Sequence, residues 1–266
     1  MVLDALFLAA QDGNFPVVMA IAAVGADVNM RSVDGWTALH VAAKNGKVKV
    51  VELLIGLGAD KEAQIALHNR TALHWAAFEG HLEVVELLIA LGANKEAATN
   101  TGGRPLHLAA ENGHETVVRA LVAQGADKEA ADASYLSRPL HAAASRGQAA
   151  VVRALVALGA DKNSRDSRGS SPLAVAAQLG QLEAAKALIA AGADTEAEPL
   201  QGQATARRGI EWARGDGASA GSCGRGQGGA GCERREAPAH RSRSRQGGGG
   251  GGADSIGCGQ GFTGPW

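Results

Sequence analysis

The stretch Arg70–Asn94, R-T-A-L-H-W-A-A-F-E-G-H-L-E-V-V-E-L-L-I-A-L-G-A-N, decides the fold. Leu73, Ala76 and Ala77 share one face of a short first helix. Gly80 stops that helix, and a second begins near His81-Leu82-Glu83. Val84, Val85, Leu87, Leu88 and Leu91 are expected on the inner face of the second helix. Gly92 follows as its terminator, because glycine enters the left-handed region past a helix end at little cost. Helices this short cannot bury their apolar faces alone, so the pattern demands copies of itself on either side.

The copies are present. A T-x-L-H-x-A-A signature places His40, His74, His107 and His141 in one slot, with Ala174 in the same slot further on, at spacings of 34, 33, 34 and 33. The closing G-A-D recurs at Gly25, Gly58, Gly92, Gly125, Gly159 and Gly192, with Asn94 replacing Asp once. A period near 33 built on T-P-L-H-x-A is the signature of one repeat architecture, and at these residues the chain resembles the ankyrin-repeat family. The resemblance implies an all-α solenoid of helix-turn-helix units with β-hairpin-like turns over residues 1–197. Six units are expected, at about 1–29, 30–62, 63–96, 97–129, 130–163 and 164–197.

The units differ in informative ways. The first lacks a leading turn, has Phe7 in the histidine slot, and starts its second helix at Pro16, where a missing N–H costs nothing. It reads as a terminal cap. Thr37 is placed to cap the helix that follows it. Arg104 and Arg138 replace that threonine, so looser first turns are expected there. Asn69 stands where a turn glycine is missing and tolerates the left-handed conformation. Tyr135-Leu136 occupies the turn of the fifth unit.

Composition narrows the function. Net charge is −1, divided as 17 basic against 20 acidic residues through Asp194 and 9 against 7 after it, so the chain makes no electrostatic case for nucleic acid. Cys223, Cys232 and Cys258 all lie outside the repeats, which points to a reducing compartment, the cytoplasm or nucleus. The first ten residues match a repeat helix better than a signal peptide, since Asp4 sits where positive charge belongs. No apolar run approaches the ~18 residues of a membrane span. A monomer is expected.

Repeated histidines invite a metal or catalytic reading, and geometry opposes it. Stacked helix pairs lie about 8–10 Å apart, while Zn–N bonds are about 2.0–2.1 Å. The resemblance implies instead that each histidine ties a helix start to a neighbouring turn. Nothing that departs from the repeat converges as an acid, base or nucleophile, so no enzyme, cofactor or metal is expected.

Stacking leaves the turn tips and the outer side of each first helix free of packing duty. The resemblance implies that protein partners dock on this concave surface. Carried onto this chain, the candidate contacts are Asp34, Trp36, Lys44, Arg70, Phe78, Tyr135, Arg146 and Arg168, chosen because aromatic and arginine side chains dominate binding hot spots. Trp75, directly after a repeat histidine, is expected in the core.

From residue 198 to 266 the periodicity ends and Gly, Arg, Ala and Ser dominate, as in a disordered low-complexity tail. Gly224–Gly229 matches G-x-G-x-x-G but follows no strand, so a dinucleotide reading fails. Arg241-Ser242-Arg243-Ser244-Arg245 could follow a nucleic-acid backbone, although aromatic partners for bases are almost lacking. The leading expectation is a non-enzymatic interaction scaffold. The alternatives are an RNA-associated regulator working through the tail, and the adaptor fragment of a larger enzyme.

Overall fold

The computed structural model describes residues 1–195 together with Gly209, Glu211 and Ala213. The tail motifs at 224–229 and 241–245 lie outside the described residues. Residues 1–195 form twelve helices and, as described, no strand. They run α1 (Val2–Asp12), α2 (Phe15–Ala23), α3 (Ala38–Lys44), α4 (Val48–Gly56), α5 (Ala72–Glu79), α6 (Leu82–Ala90), α7 (Pro105–Glu111), α8 (Glu115–Ala123), α9 (Pro139–Ser145), α10 (Ala149–Ala157), α11 (Pro172–Gln178) and α12 (Leu182–Ala190). Odd-numbered helices stack on one another in one layer, even-numbered helices in a second, and each odd helix packs on the even helix after it. No described helix is long and apolar enough to cross a membrane.

The core repeats as the sequence does. Leu6, Leu39, Leu73, Leu106, Leu140 and Leu173 are fully buried on the odd helices, beside paired alanines such as Ala76-Ala77 and Ala109-Ala110. Alanine lets these helices approach closely, and one leucine per helix fills the remaining gap. On the even helices the buried trio is Val50, Val51 and Leu54, then Val84, Val85 and Leu88, and so on to Ala184, Ala185 and Leu188. Leu91 corrects the sequence reading. It follows the last residue of α6, at the point where the chain turns out toward Gly92, and it is exposed. The first pair also departs from the others: α2 buries only Val18 and exposes Phe15, Val17 and Met19.

Three hydrogen-bonded stitches join each pair to the next from the second pair on, and the third of them also joins the first pair to the second. The first uses the signature histidine. The His40 Nδ1 accepts the Thr37 backbone N–H at 3.2 Å, so its proton sits on Nε2, which donates to the Ala63 and Arg70 carbonyls of the next pair at 3.0 and 3.2 Å. His74 reaches the Gly103 carbonyl in the same way, His107 that of Ser137 and His141 that of Ser170. The tie expected from sequence is therefore present.

The other two stitches have no counterpart in the sequence reading. His81, His114, Gln148 and Gln181, each just before an even helix, bond back to the carbonyls of Lys44, Phe78, Glu111 and Ser145 on the preceding pair. Along the opposite edge, Asn29, Glu62, Glu96, Glu129 and Asn163 accept the backbone N–H of the G-A-D acid, or its Asn94 equivalent, one pair further on, at 2.7–2.9 Å. The turns are joined laterally by single backbone bonds, such as Ala66 N–H to the Asp34 carbonyl at 3.0 Å and Ser167 N–H to the Tyr135 carbonyl at 2.7 Å.

Arg104 and Arg138 leave α7 and α9 starting at the same register as the threonine-capped helices. The backbone N–H of each arginine still bonds to the histidine Nδ1, at 3.3 Å in both. Their guanidinium groups bind the stitch carboxylates, Arg104 to Glu96 and Arg138 to Glu129, the latter at 2.8 Å. A lost hydroxyl cap is thereby replaced by a clamp on the inter-pair stitch.

Asn69 takes a positive φ of 53°, as its residue type suggested, but Leu136 does so too, at 51°. A side chain with a Cβ strains this conformation by roughly 1–2 kcal/mol. Leu136 is exposed and recovers little by packing. Leu136→Asn is therefore expected to stabilise the array by roughly 0.5–1 kcal/mol, read as a raised urea midpoint at unchanged slope.

Burial pushes His40 and His74 down to about 4 and lowers His107 and His141, with their carbonyl partners opposing the shift. The folded chain thus keeps neutral rings at pH values where the unfolded chain binds protons. Stability from these rings is complete above the unfolded value near 6.5 and is lost as pH falls toward about 4. His40 and His74 should each cost on the order of 1–2 kcal/mol by pH 5. Thermal unfolding followed between pH 7.5 and 5 should show a midpoint falling by several degrees, and a flat profile would exclude buried neutral imidazoles.

Candidate functional site

Side chains free of stitching collect on the turn side of the second and third pairs. Trp36 precedes α3 at the end of a tight turn whose Ser32 N–H bonds to the Trp36 carbonyl. Trp75 lies in the first half of α5 and Phe78 one turn later. These three rings form a continuous series: Trp36 and Trp75 centroids are 4.9 Å apart at 33°, and Trp75 and Phe78 meet edge to face at 5.8 Å. Two cations lie on the rings. The Lys44 Nζ, at the end of α3, is 5.5 Å from the Trp36 centroid and 5.2 Å from that of Trp75. The Arg70 guanidinium is 5.0 Å from Trp75 and 5.1 Å from Phe78. Such contacts contribute roughly 0.5–2 kcal/mol each, more as water is excluded.

Beside the rings is a hollow of about 510 Å³ lined by Val33, Asp34, Trp36, Ile65, Leu67 and Trp75, with Ala66 and His68 completing it. Its walls are mostly apolar. Val33 and Leu67 are large apolar side chains that stand exposed at its rim. Asp34 is an exposed carboxylate at the turn-tip end.

Five of the eight residues singled out from sequence, Asp34, Trp36, Lys44, Arg70 and Phe78, thus fall in one neighbourhood. The other three do not join them. Tyr135 and Arg168 form a separate contact at the tips of later turns, with the guanidinium 5.1 Å from the ring. Arg168 also binds the buried Asp166 carboxylate at 3.2 Å, which in turn accepts the Arg168 and Ser170 backbone N–H groups. Arg146 bridges to Glu111 of the preceding pair, with Nε at 2.9 Å. Both arginines are committed to intramolecular carboxylates.

Trp75 requires a correction. It is half-buried and faces the hollow, not the core. The other occupants of its slot, Val41, Leu108, Ala142 and Val175, differ widely in volume. A close-packed core position does not tolerate such variation, and that was the available signal. Burial lowers the Arg70 guanidinium pKa, with Glu111 acting in the opposite sense. Arginine remains charged regardless. Buried atoms of this cluster without a hydrogen-bond partner among the described residues are the Arg70 Nε and the Trp75 Nε1, both donors.

Among the described residues, no three His, Cys, Asp or Glu side chains converge in a way that could hold a metal ion. The strongly shifted histidines are spent on carbonyls. What the cluster offers is stacked aromatic area, an apolar hollow and two cations.

The family model for ankyrin repeats (3 copies) matches the chain in three consecutive segments, residues 3–65, 62–132 and 134–198. Protein phosphatase 1 regulatory subunit 27 of Mus musculus is 43% identical over 61 residues, which are 23% of this chain and 40% of that protein. The mitochondrial disaggregase of Bos taurus is 48% identical over 56 residues, 21% of this chain and 8% of that protein. A Notch-regulated ankyrin repeat-containing protein of Xenopus tropicalis is 43% identical over 44 residues, 16% of this chain and 39% of that protein. The chain therefore spans two fifths or less of each of these relatives.

The stacked indoles give a direct check. Exciton coupling between Trp36 and Trp75 should appear in the circular dichroism of the folded chain and vanish in either Trp36→Phe or Trp75→Phe. Trp75→Ala should cost about 1–3 kcal/mol, below the roughly 3–5 kcal/mol of a core aromatic, as read from urea unfolding.

Proposed function

The chain belongs to the ankyrin-repeat family, and from that premise we propose that it works as a non-enzymatic platform that docks a protein partner on the concave side of its first helices and turns. Ankyrin repeats are protein-interaction modules and are generally non-catalytic. The observation that carries the reading to a site is the placement of the aromatics. The whole sequence holds only nine Phe, Trp and Tyr residues, and Trp36, Trp75 and Phe78 are stacked together beside an open hollow, outside the core cluster. Large rigid rings with cations across them are the side chains that dominate protein interfaces.

Tyr135 with Arg168, and Arg146 with Glu111, extend the same side of the array toward its later pairs and serve as a secondary margin of the interface. Exposed ion pairs of this kind add little affinity and help to set register. An array without cysteine suits the cytoplasm or nucleus, and the platform acts as a single copy.

A crosslinking pull-down with the full chain tests this. Trp36→Ala combined with Phe78→Ala should reduce recovery of the partner at least tenfold while helical circular dichroism is retained. Glu83→Ala with Glu86→Ala, on the exposed side of α6, should leave recovery unchanged. Equal recovery by all three proteins would remove the aromatic cluster as the docking site.

A further inference from the structure

The cluster at the second and third pairs also carries information about what it binds. Its charges are not balanced internally. Arg104, Arg138, Arg146 and Arg168 each reach a carboxylate. Lys44 and Arg70 are held differently: among the described residues neither forms an ion pair, both lie on ring faces, and Glu111 acts on Arg70 only from beyond ion-pair distance. Both lie within 5.2 Å of the same Trp75 ring. Two like charges against one ring make the potential around it positive and favour an anion beside them. Two buried side-chain atoms here have no hydrogen-bond partner among the described residues, and both are donors, the Arg70 Nε and the Trp75 Nε1; the Lys44 ammonium is an exposed donor beside them. The exposed Lys44 ammonium is complemented by an acceptor, above all by a carboxylate, whose charge-assisted hydrogen bonds are the stronger kind.

Next to these donors is the apolar hollow, wide enough for one large side chain. Asp34 stands at its other end, near the turn tip. The seven residues of α3 separate the turn tip from Lys44 by roughly 10 Å at 1.5 Å per residue, about three residues of extended chain.

We propose that the hollow takes a partner segment carrying one large apolar side chain, aromatic or branched, with a carboxylate within three residues of it. The apolar group fills the space between Trp36, Ile65 and Leu67, and the carboxylate lies against Lys44. Asp34 disfavours a second acid at the turn-tip end, so the segment is bound in one orientation. This rests on the docking reading above and narrows it to a partner chemistry.

The test uses the full chain and a phage-displayed library of random twelve-residue peptides, with the selected peptides then synthesised and titrated. Selected sequences should be enriched in Asp or Glu within three residues of Phe, Trp, Leu or Ile. Lys44→Glu should weaken such a peptide at least tenfold, and replacing the peptide's acid by Lys should restore binding to Lys44→Glu. Lys44 is exposed and its change leaves the core untouched, which helical circular dichroism verifies. Peptides lost on Trp36→Ala but indifferent to Lys44→Glu, or selected without acidic enrichment, would overturn the acidic chemistry and leave the docking site standing. Selection of no peptide sensitive to Trp36→Ala would overturn the acidic chemistry, and the pull-down would then judge the docking site separately.

Discussion

A neutral imidazole bridging two backbones is the interaction on which the array depends. Each signature histidine is buried, takes a hydrogen bond on Nδ1 from the start of its own helix, and gives one from Nε2 to the next pair. Protonated, it would lose the first bond and carry a charge into the core. Made apolar, it would leave an amide and a carbonyl buried without partners, at roughly 1–3 kcal/mol each. The side chain therefore does two jobs that a leucine could not: it fixes the entry of one helix and the spacing to its neighbour. The two edge stitches repeat that logic with amides and carboxylates, where side chains are partly solvated and the same bond contributes less.

Because every pair is joined only to its neighbours, the turn side of the odd helices is under no packing demand. This explains how aromatic residues can accumulate at one place without disturbing the fold. The slots of Trp75 and Phe78 hold Val41 and Lys44, Leu108 and Glu111, Ala142 and Ser145, or Val175 and Gln178 in other pairs, with the same helix start and the same buried leucine. Fold and recognition are separable in this chain: one set of positions repeats, the other varies, and the variable set is where the rings and unpaired cations are found.

Much of this was legible before coordinates, for reasons specific to the residues. The histidine ties followed from the resemblance carried by the repeated T-x-L-H-x-A-A signature, and burial explains them, since a buried polar ring has to pair. Asn69 was readable because its side chain tolerates the left-handed region. Leu136 was not: it occupies the same conformation only because the extra residue of its turn forces it, and leucine has no propensity that signals this. The Gln148 and Gln181 stitches were hidden by their alternation with His81 and His114, which share a hydrogen-bonding role but no composition. Trp75 was misread because a tryptophan beside a buried histidine suggests core, whereas its register along α5 turns it toward the hollow. The cluster itself joins residues separated by up to 42 positions, from Trp36 to Phe78, and only stacking of α3 on α5 brings them together.

The charges then divide by what holds them. Arg104 and Arg138 were read as losses, threonines replaced at a cap, yet each clamps the carboxylate that stitches the following pair, so their sequence cost is a structural gain. Arg146 and Arg168, read as contacts, have their own carboxylates close by. A cation already paired gains little from a second acid, because the attraction it could offer is largely cancelled at a distance of a few ångströms and screened beyond about 10 Å. Lys44 and Arg70 differ in having no ion pair among the described residues, Glu111 acting on Arg70 only from further off, and a ring quadrupole attracts a cation without neutralising it. In the docking proposed above, recognition by charge therefore falls to this pair and not to the more numerous arginines, and the rings beside it supply the apolar area that charge alone could not turn into affinity.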